Sequence, residues 1–136
     1  MERTVIRQVP RLVSSDELGT VWGEVAPWIE QAIPYAQGDE NLTDILVGIA
    51  QNRFSLWYTP DRFAAVTQVI KQPRHIVATI LYAGGADMAA LEEAFAFYRG
   101  WCKEKGIQIM RVWGREGWER QLKMQRVGII LQSEVV

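Results

Sequence analysis

The feature that most constrains the fold is a change of hydrophobic period in the middle of the chain. Three strand-like runs, residues 53–59, 62–70 and 75–82, are separated only by short turns that contain Pro60-Asp61 and Gln72-Pro73. Connections this short favour antiparallel neighbours. The third run is nearly all apolar, which is typical of a strand covered on both faces. The centre of the chain therefore predicts a three-stranded antiparallel meander.

One short strand and two helices are predicted ahead of the meander. The strand spans residues 4–9 and ends before a proline. Ser14 and Glu17 have the spacing of a capping box, and apolar residues at three- and four-residue steps follow them. Pro27 interrupts this helix and predicts a kink or a break there. Asn41 is the expected cap of the second helix.

The chain after the meander alternates helix and strand. Asp87 can cap a long amphipathic helix that ends at Gly106. A strand over residues 107–113, a helix over 116–125 and a last strand over 128–136 complete the pattern. The predicted fold class is α/β (α+β), a mixed sheet with the order β-α-α-β-β-β-α-β-α-β.

Composition predicts one ordinary domain over residues 1–136. The sequence is 49% hydrophobic and 23% charged, and its formal net charge is −1. A near-neutral chain has no general attraction to nucleic acid, and no apolar run reaches the ~18 residues of a membrane span. A single cysteine, Cys102, cannot form an internal disulfide, so we expect a reducing, cytoplasmic compartment. Six tryptophans are many for this length, and they raise the expectation of a protein partner or a homo-oligomer.

The order of elements resembles that of the GNAT-type (N-acetyltransferase-like) superfamily over essentially the whole chain. The segment Gly114-Arg115-Glu116-Gly117-Trp118, with Gly128 further on, resembles the small GNAT-like proteins encoded by bacteriophages. This resemblance implies the cytoplasm of a bacterial host, or association with a virion, as the place of action.

The resemblance also implies a cofactor site for acetyl-CoA or another acyl-CoA. In the family, the cofactor enters between the third meander strand and the strand after the long helix. Amide groups at the start of that helix hold its pyrophosphate, because a helix N-terminus favours anions. The corresponding residues here are Leu81, Tyr82, Ala83, Gly84, Gly85, Ala86 and Asp87. A plain strand-to-helix turn is the alternative interpretation of the two glycines.

Three positions depart from the family pattern. The loop lacks the usual Arg or Gln, and Asp87 adds a negative charge where a pyrophosphate would lie. The position that often carries a tyrosine acid is Met124, which has no proton to donate. The asparagine often found near the start of the last helix falls on Gly117.

Several other residues have both a structural and a functional interpretation. Arg115 could bind a phosphate or a partner's carboxylate, or it could be a solvated loop residue. Trp118 could clamp the last helix onto the sheet or stack on a ligand. We expect His75 at a strand end near the surface and Cys102 as a packing residue. A metal site is not predicted.

Two further pairs are weaker candidates. Trp57 and Tyr58 point to opposite faces of one strand, so at most one is a core residue if the fold has two layers. The other would line an acceptor cleft or a partner interface. Asp61 and Glu134 are carboxylates near expected strand ends and possible general bases.

Two hypotheses of different classes follow. One is an acyl-CoA-dependent N-acyltransferase whose cofactor loop is eroded and which lacks the catalytic tyrosine. The other is a non-catalytic, GNAT-shaped structural or interaction protein of a bacteriophage, either a virion component or a host-interaction factor. The fold alone does not decide between them.

Overall fold

Helices and strands follow one another in the predicted order except at the two ends of the chain. The computed structural model describes residues 9–36, 38–87 and 89–135. The elements are β1 (Arg11–Leu12), α1 (Leu18–Ala32), a short 3-10 turn (Ile33–Tyr35), α2 (Leu42–Ala50), β2 (Ser55–Thr59), β3 (Phe63–Lys71), β4 (Ile76–Gly84), α3 (Ala90–Glu104), β5 (Ile109–Val112) and α4 (Trp118–Gln121). The α/β class and the antiparallel meander β2–β3–β4 are confirmed.

The strands form one mixed sheet in the spatial order β1-β2-β3-β4-β5. Neighbours from β1 to β4 are antiparallel, and β5 lies parallel to β4. The parallel pair needs a long crossover, which α3 supplies. The register between β4 and β5 runs from Val77 opposite Ile109 to Ile80 opposite Val112.

Both faces of the sheet are covered by helices, so the protein has three layers. Tyr58 belongs to the core beneath α1 and α2, and Trp57 belongs to the core beneath α3 and α4. The expectation that at most one of them is buried was wrong, because it assumed two layers. Both are buried.

The first helix begins later than its sequence signal. The backbone N–H and the hydroxyl of Ser14 contact the Glu17 carboxylate at 3.4 and 3.3 Å, yet regular helix starts only at Leu18. The helix runs without a break across Pro27. The predicted break is therefore absent.

Two other helix ends follow prediction. Asn41 accepts a hydrogen bond from the Asp44 N–H at 2.8 Å, and Asp44 returns one to the Asn41 N–H at 3.0 Å. This reciprocal pair is a capping box that starts α2. At the other end of the chain, Gly106 follows α3 with a φ of 73°, the left-handed conformation that ends many helices.

The predicted first strand, residues 4–9, lies outside the described residues except for Val9. The first described strand is β1, which begins beyond Pro10. The predicted last strand, residues 128–136, is wrong for the part that the structure describes, since residues 128–135 form no regular element and are exposed. A strand needs a neighbour for its backbone N–H and C=O groups, and β-forming residues do not supply one.

All six tryptophans pack against the two cores. Trp57 and Trp118 are buried in the α3 core, where Trp101 also packs. The other three, Trp22, Trp28 and Trp113, pack partly buried against the α1 core. The high tryptophan count is thus explained by packing on both faces of the sheet. No helix within the described residues combines the length and the apolar character needed to cross a bilayer.

Candidate functional site

The parallel strands separate at their C-terminal ends. Trp113 N–H donates to the Ile80 carbonyl at 3.0 Å, just beyond the last residue of β5. β4 continues to Gly84. Backbone pairing between the two strands therefore ends before residues 81–84 of β4 and residues 113–115. We call the region between these two segments the β4–β5 cleft, and it is the place where the family resemblance predicts the cofactor.

A β-bulge lies where the cleft begins. Val66 pairs with Tyr82 while the next residue, Thr67, pairs with Ile80, so Leu81 is an extra residue in β4. Leu81 and Tyr82 consequently both face the α1 core. A bulge bends its strand and re-aims side chains, and bulges are common beside functional sites. This bulge coincides with the separation of β4 from β5.

Arg115 spans the cleft. Its guanidinium donates to the Ala83 carbonyl at 3.2 Å. The same group lies 4.6 Å from the ring centroid of Tyr35 and 5.5 Å from that of Trp118. Cation–π contacts to two aromatic rings and one hydrogen bond hold the side chain in place. Arg115 is therefore a packed bridge across the cleft and not a solvated loop residue.

Packing explains the two adjacent glycines at the end of β4. A Cβ on Gly84 would lie 2.8 Å from the Trp28 carbonyl oxygen of α1. A Cβ on Gly85 would lie 2.1 Å from the Arg62 carbonyl oxygen, in the turn between β2 and β3. Both positions need the absence of a side chain because backbone approaches backbone there.

Asp87 lies just ahead of α3 and is not its cap as predicted, because the helix begins at Ala90 and its N-cap residue is Ala89, with no capping hydrogen bond from a side chain. Its carboxylate accepts from the Ala89 N–H at 3.0 Å, and its carbonyl accepts from the Ala90 N–H at 3.0 Å. The Asp87 N–H in turn donates to the Arg62 carbonyl at 3.1 Å. The Asp87 carboxylate thus adds a negative charge next to the start of α3, where it disfavours an anionic ligand.

Arg62 balances part of the acidic charge at this helix start. The Arg62 guanidinium contacts Asp87 at 2.9 Å and Glu93 at 3.6 Å. Glu92 adds another acidic residue to the first turn of α3. Carboxylates at this end of a helix stabilise it through the helix dipole, but they repel a pyrophosphate.

Two polar groups in this region are already engaged within the chain. The Ala83 carbonyl already accepts from Arg115, and the Ala89 amide already donates to Asp87. The assignment of Leu81 to Asp87 as cofactor-binding residues stays a prediction. Within residues 9–36, 38–87 and 89–135, no three His, Cys, Asp or Glu side chains form a possible metal site.

The wall of the cleft on the α1 side is aromatic. Tyr82 is buried, its hydroxyl donates to Glu40 at 2.7 Å, and its ring meets the Trp113 ring edge-on at 6.0 Å. Burial, followed by the hydrogen bond to Glu40, raises the pKa of Tyr82 well above the usual value. Tyr82 is therefore a neutral hydrogen-bond donor at ordinary pH and a poor base.

The remaining residues of the last helix pack into the α3 core. Trp118 is buried and meets Phe95 edge-on at 5.9 Å, as a clamp between α4 and α3 would. Met124 is half-buried and lies beside Cys102 and Met110. Cys102 is buried, and burial raises the pKa of its thiol. Its predicted packing role is confirmed by this position.

The structure does not bring the other candidate residues together. His75 is exposed just before β4, as expected, and Glu134 is exposed near the end of the chain. Asp61 lies in the turn between β2 and β3, where its N–H donates to Glu24 at 3.1 Å. The hydrogen bond to Glu24 raises the pKa of the Asp61 carboxyl.

Sequence reasoning missed three residues that contact the candidate site and its surroundings from distant parts of the chain. Arg62 contacts Asp87 from another loop, and Tyr35 stacks on Arg115 from the turn after α1. Glu40 likewise reaches Tyr82 across the chain. No local pattern marks such partners, because each contact joins residues more than twenty positions apart.

Comparison with known proteins identifies the fold. No protein-family model and no curated protein matches the chain. Solved structures do match. A possible acetyltransferase from Clostridium difficile 630 aligns over 93% of this chain and 96% of its own, with a TM-score of 0.64 and 11% identity.

Two further neighbours have the same character. An aminoglycoside acetyltransferase from an uncultured soil metagenomic sample, solved with sisomicin, aligns over 93% of this chain and 95% of its own, with a TM-score of 0.64 and 11% identity. A Trypanosoma brucei acetyltransferase aligns over 93% and 98%, with a TM-score of 0.59 and 13% identity. At such identities the likeness concerns the fold. The chain has the fold of the GNAT-type acetyltransferases.

Proposed function

We propose that this protein is a non-catalytic, GNAT-shaped interaction protein. The observation that supports the proposal is that the chain's own side chains bind polar groups where the family resemblance predicts the cofactor. Arg115 donates to the Ala83 carbonyl, and the Asp87 carboxylate accepts from the Ala89 N–H just ahead of α3. Both contacts belong to larger packed arrangements, so a ligand would have to displace several interactions at once.

The absence of a proton donor at Met124 supports the same proposal. A thioether cannot protonate a departing thiolate. The side chain is also half-buried and packs against the α3 core, which is the environment of a packing residue. A place in a bacteriophage particle, or in a contact between phage and host, is a finer form of the proposal. It rests on the resemblance of the segment Gly114–Trp118.

Calorimetric titration with acetyl-CoA tests the proposal. We expect no heat of binding at millimolar cofactor and no release of free thiol in the presence of an amine. Micromolar binding, or thiol release that depends on an amine, would overturn it. The double variant Asp87→Ala/Arg115→Ala is the informative companion, because weak binding confined to it would show that these two residues are the block.

The second candidate is an acyl-CoA-dependent N-acyltransferase, and the bulge at Leu81 favours it. The bulge lies where the backbone pairing of β4 with β5 ends, and bulges are common beside functional sites. The structural neighbours named acetyltransferases point the same way. Amine-dependent thiol release by the unmodified protein, with sisomicin among the amines tested, would establish this candidate in place of the first.

A further inference from the structure

A groove lies on the α3 face of the sheet, beside the beginning of β5. Its volume is about 600 Å³, which is within the roughly 300–1,000 Å³ of small-molecule sites. It is lined by the second half of α3, by the segment 106–110 and by Met124, whereas the exposed residues 125–135 do not line it. The β4–β5 cleft begins beyond Val112, so the groove is a separate place on the molecule.

Four of the side chains that line the groove are apolar. Cys102 is buried, and Ile107, Met110 and Met124 pack partly buried against the α3 core. Methionine side chains are flexible and polarisable, so they adapt to apolar groups of different shapes. An aliphatic group bound here would remove apolar surface of both partners from water, which favours binding.

Two cations line the groove from one side of α3. Arg99 and Lys103 are four residues apart, so their side chains are neighbours on the helix surface. Like charges at this spacing destabilise a helix, and no acidic residue stands three or four positions from either one. Within the part of the chain that the structure describes, neither has an ion-pair partner. None of the lining residues is acidic. The groove therefore carries uncompensated positive charge.

Two carbonyl groups at the end of α3 are already bonded. Gly106 has a φ of 73°, and its N–H donates to the Lys103 carbonyl at 3.2 Å. The Ile107 N–H donates to the Cys102 carbonyl at 2.9 Å. This pair of bonds is a Schellman motif, which satisfies carbonyl oxygens that would otherwise repel an anion.

Gln108 supplies a polar donor at the same groove. Its side-chain oxygen accepts from the Ile76 N–H at 2.9 Å, at the start of β4. This bond orients the amide and leaves its NH₂ group as a hydrogen-bond donor. Together with Arg99 and Lys103, the groove thus has three side chains that can donate to one anionic head group.

We propose that this groove binds a small amphipathic anion, in which a carboxylate or phosphate head is attached to an aliphatic body. The head binds Arg99, Lys103 and the Gln108 amide through hydrogen bonds, two of them charge-assisted. The aliphatic body packs on the apolar side chains. A bound anion also offsets the repulsion between the two cations on α3. The inference goes beyond the proposed function, because the groove and the β4–β5 cleft are different places.

Calorimetric titration with ligands of equal chain length is the first test. Octanoate and octyl phosphate carry the two anionic heads, octanamide is neutral and octylamine is a cation at pH 7. We expect at least one of the anions to bind with one site per chain and about tenfold or more tighter than octanamide. Octylamine should bind more weakly than either anion. Equal affinities for all four ligands, or no binding of the anions at millimolar concentration, would overturn the inference.

Charge removal in matched pairs is the second test. Arg99→Gln/Lys103→Gln removes the cations of the groove and keeps good helix formers in α3. Lys71→Gln/Arg111→Gln removes the same charge from exposed strand positions outside the groove. We expect the dissociation constant of the better-binding anion to rise about tenfold or more in the first variant and less than about twofold in the second. Equal changes in the two variants would overturn the inference, because they would indicate a general attraction of charge.

Amide chemical shifts of the unmodified protein locate the ligand. Addition of the better-binding anion should shift the amides of residues 99–110 and of Met124. Shifts confined to residues 81–87 and 113–115 would place the anion in the β4–β5 cleft and overturn the inference. Methyl contacts between Leu131 and Met110 in the free protein would do the same, because the chain itself would then fill the groove. Binding of acetyl-CoA in the cleft would overturn only the non-catalytic proposal.

Discussion

The guanidinium of Arg115 donates a hydrogen bond to the carbonyl oxygen of Ala83 across the β4–β5 cleft, at 3.2 Å. The donor comes from the loop after β5 and the acceptor from the end of β4. The Arg115 side chain thus connects β4 with the loop after β5 at a point where the two backbones are no longer hydrogen-bonded to each other.

This bridge predicts a measurable contribution of Arg115 to stability. Arg115→Ala removes the hydrogen bond and the cation–π contacts to Tyr35 and Trp118. We expect the free energy of unfolding to fall by about 1–2 kcal/mol in urea denaturation. The control Arg120→Ala, on the exposed side of α4, should change it by less than about 0.5 kcal/mol. Equal losses in the two variants would show that Arg115 is not a bridge.

We expect the methyl group added in Gly85→Ala to lower the free energy of unfolding more than one added at any other glycine compared below. In Gly85→Ala the new Cβ would lie 2.1 Å from the Arg62 carbonyl and 2.8 Å from the Phe63 Cα, both backbone atoms. We expect a loss of about 3 kcal/mol or more in the free energy of unfolding, because backbone must shift. Gly100→Ala, in α3 with nothing within 4 Å of its Cβ, should instead gain about 0.5–1 kcal/mol. Similar melting temperatures for both variants would contradict this packing.

Two substitutions of Asp87 separate its hydrogen bond to the Ala89 N–H from its negative charge. Asp87→Ala removes both the acceptor for the Ala89 N–H and the ion pair with Arg62, whereas Asp87→Asn keeps an acceptor oxygen. We expect the alanine variant to lose about 1 kcal/mol or more of unfolding free energy and the asparagine variant clearly less. Raising the salt concentration should narrow the gap between Asp87→Asn and the unmodified protein, since only the ion pair is screened.

The parts of the fold that were predictable are those specified by neighbouring residues. Asn41 starts α2 because its partner Asp44 is three residues away, and Gly106 ends α3 because only a local left-handed turn is needed. The meander followed from strand period and short turns. The burial of both Trp57 and Tyr58 did not follow from the local sequence, because burial on both faces of the sheet depends on helices from opposite ends of the chain.

The candidate site from Leu81 to Asp87 stays a prediction, because only the family resemblance points to it. The contacts around this loop were not predictable from local sequence, since Arg115, Arg62 and Tyr35 come from three distant segments. The last strand failed for a related reason. Residues 128–135 have the composition of a strand, yet pairing requires an edge that local sequence does not provide.

Alkaline pH should destabilise the protein through its buried tyrosines. Burial raises the pKa of Tyr98 to about 12, from 10.0 in the unfolded chain. The folded state then holds a proton that the unfolded state has released, so unfolding free energy falls as pH rises from 10 to 12. Below pH 10 both states are protonated and this contribution is complete. Urea denaturation at pH 7, 10 and 11 measures the slope.

Tyr98→Phe removes the ionisable hydroxyl and keeps the aromatic ring, so it separates the effect of ionisation on stability from the effect of lost packing. The Tyr98 hydroxyl is buried and meets no hydrogen-bond partner among the described residues, so its removal leaves no other group unsatisfied. We expect a neutral or small stabilising change at pH 7 and a shallower fall above pH 10. Tyr58→Phe provides the contrast, because the hydroxyl of Tyr58 donates to Glu24 and that hydrogen bond raises the pKa of Tyr58 to about 12. It should lessen the same alkaline slope but lower stability at pH 7, so a loss at pH 7 in both variants would mean that the Tyr98 hydroxyl has a partner after all.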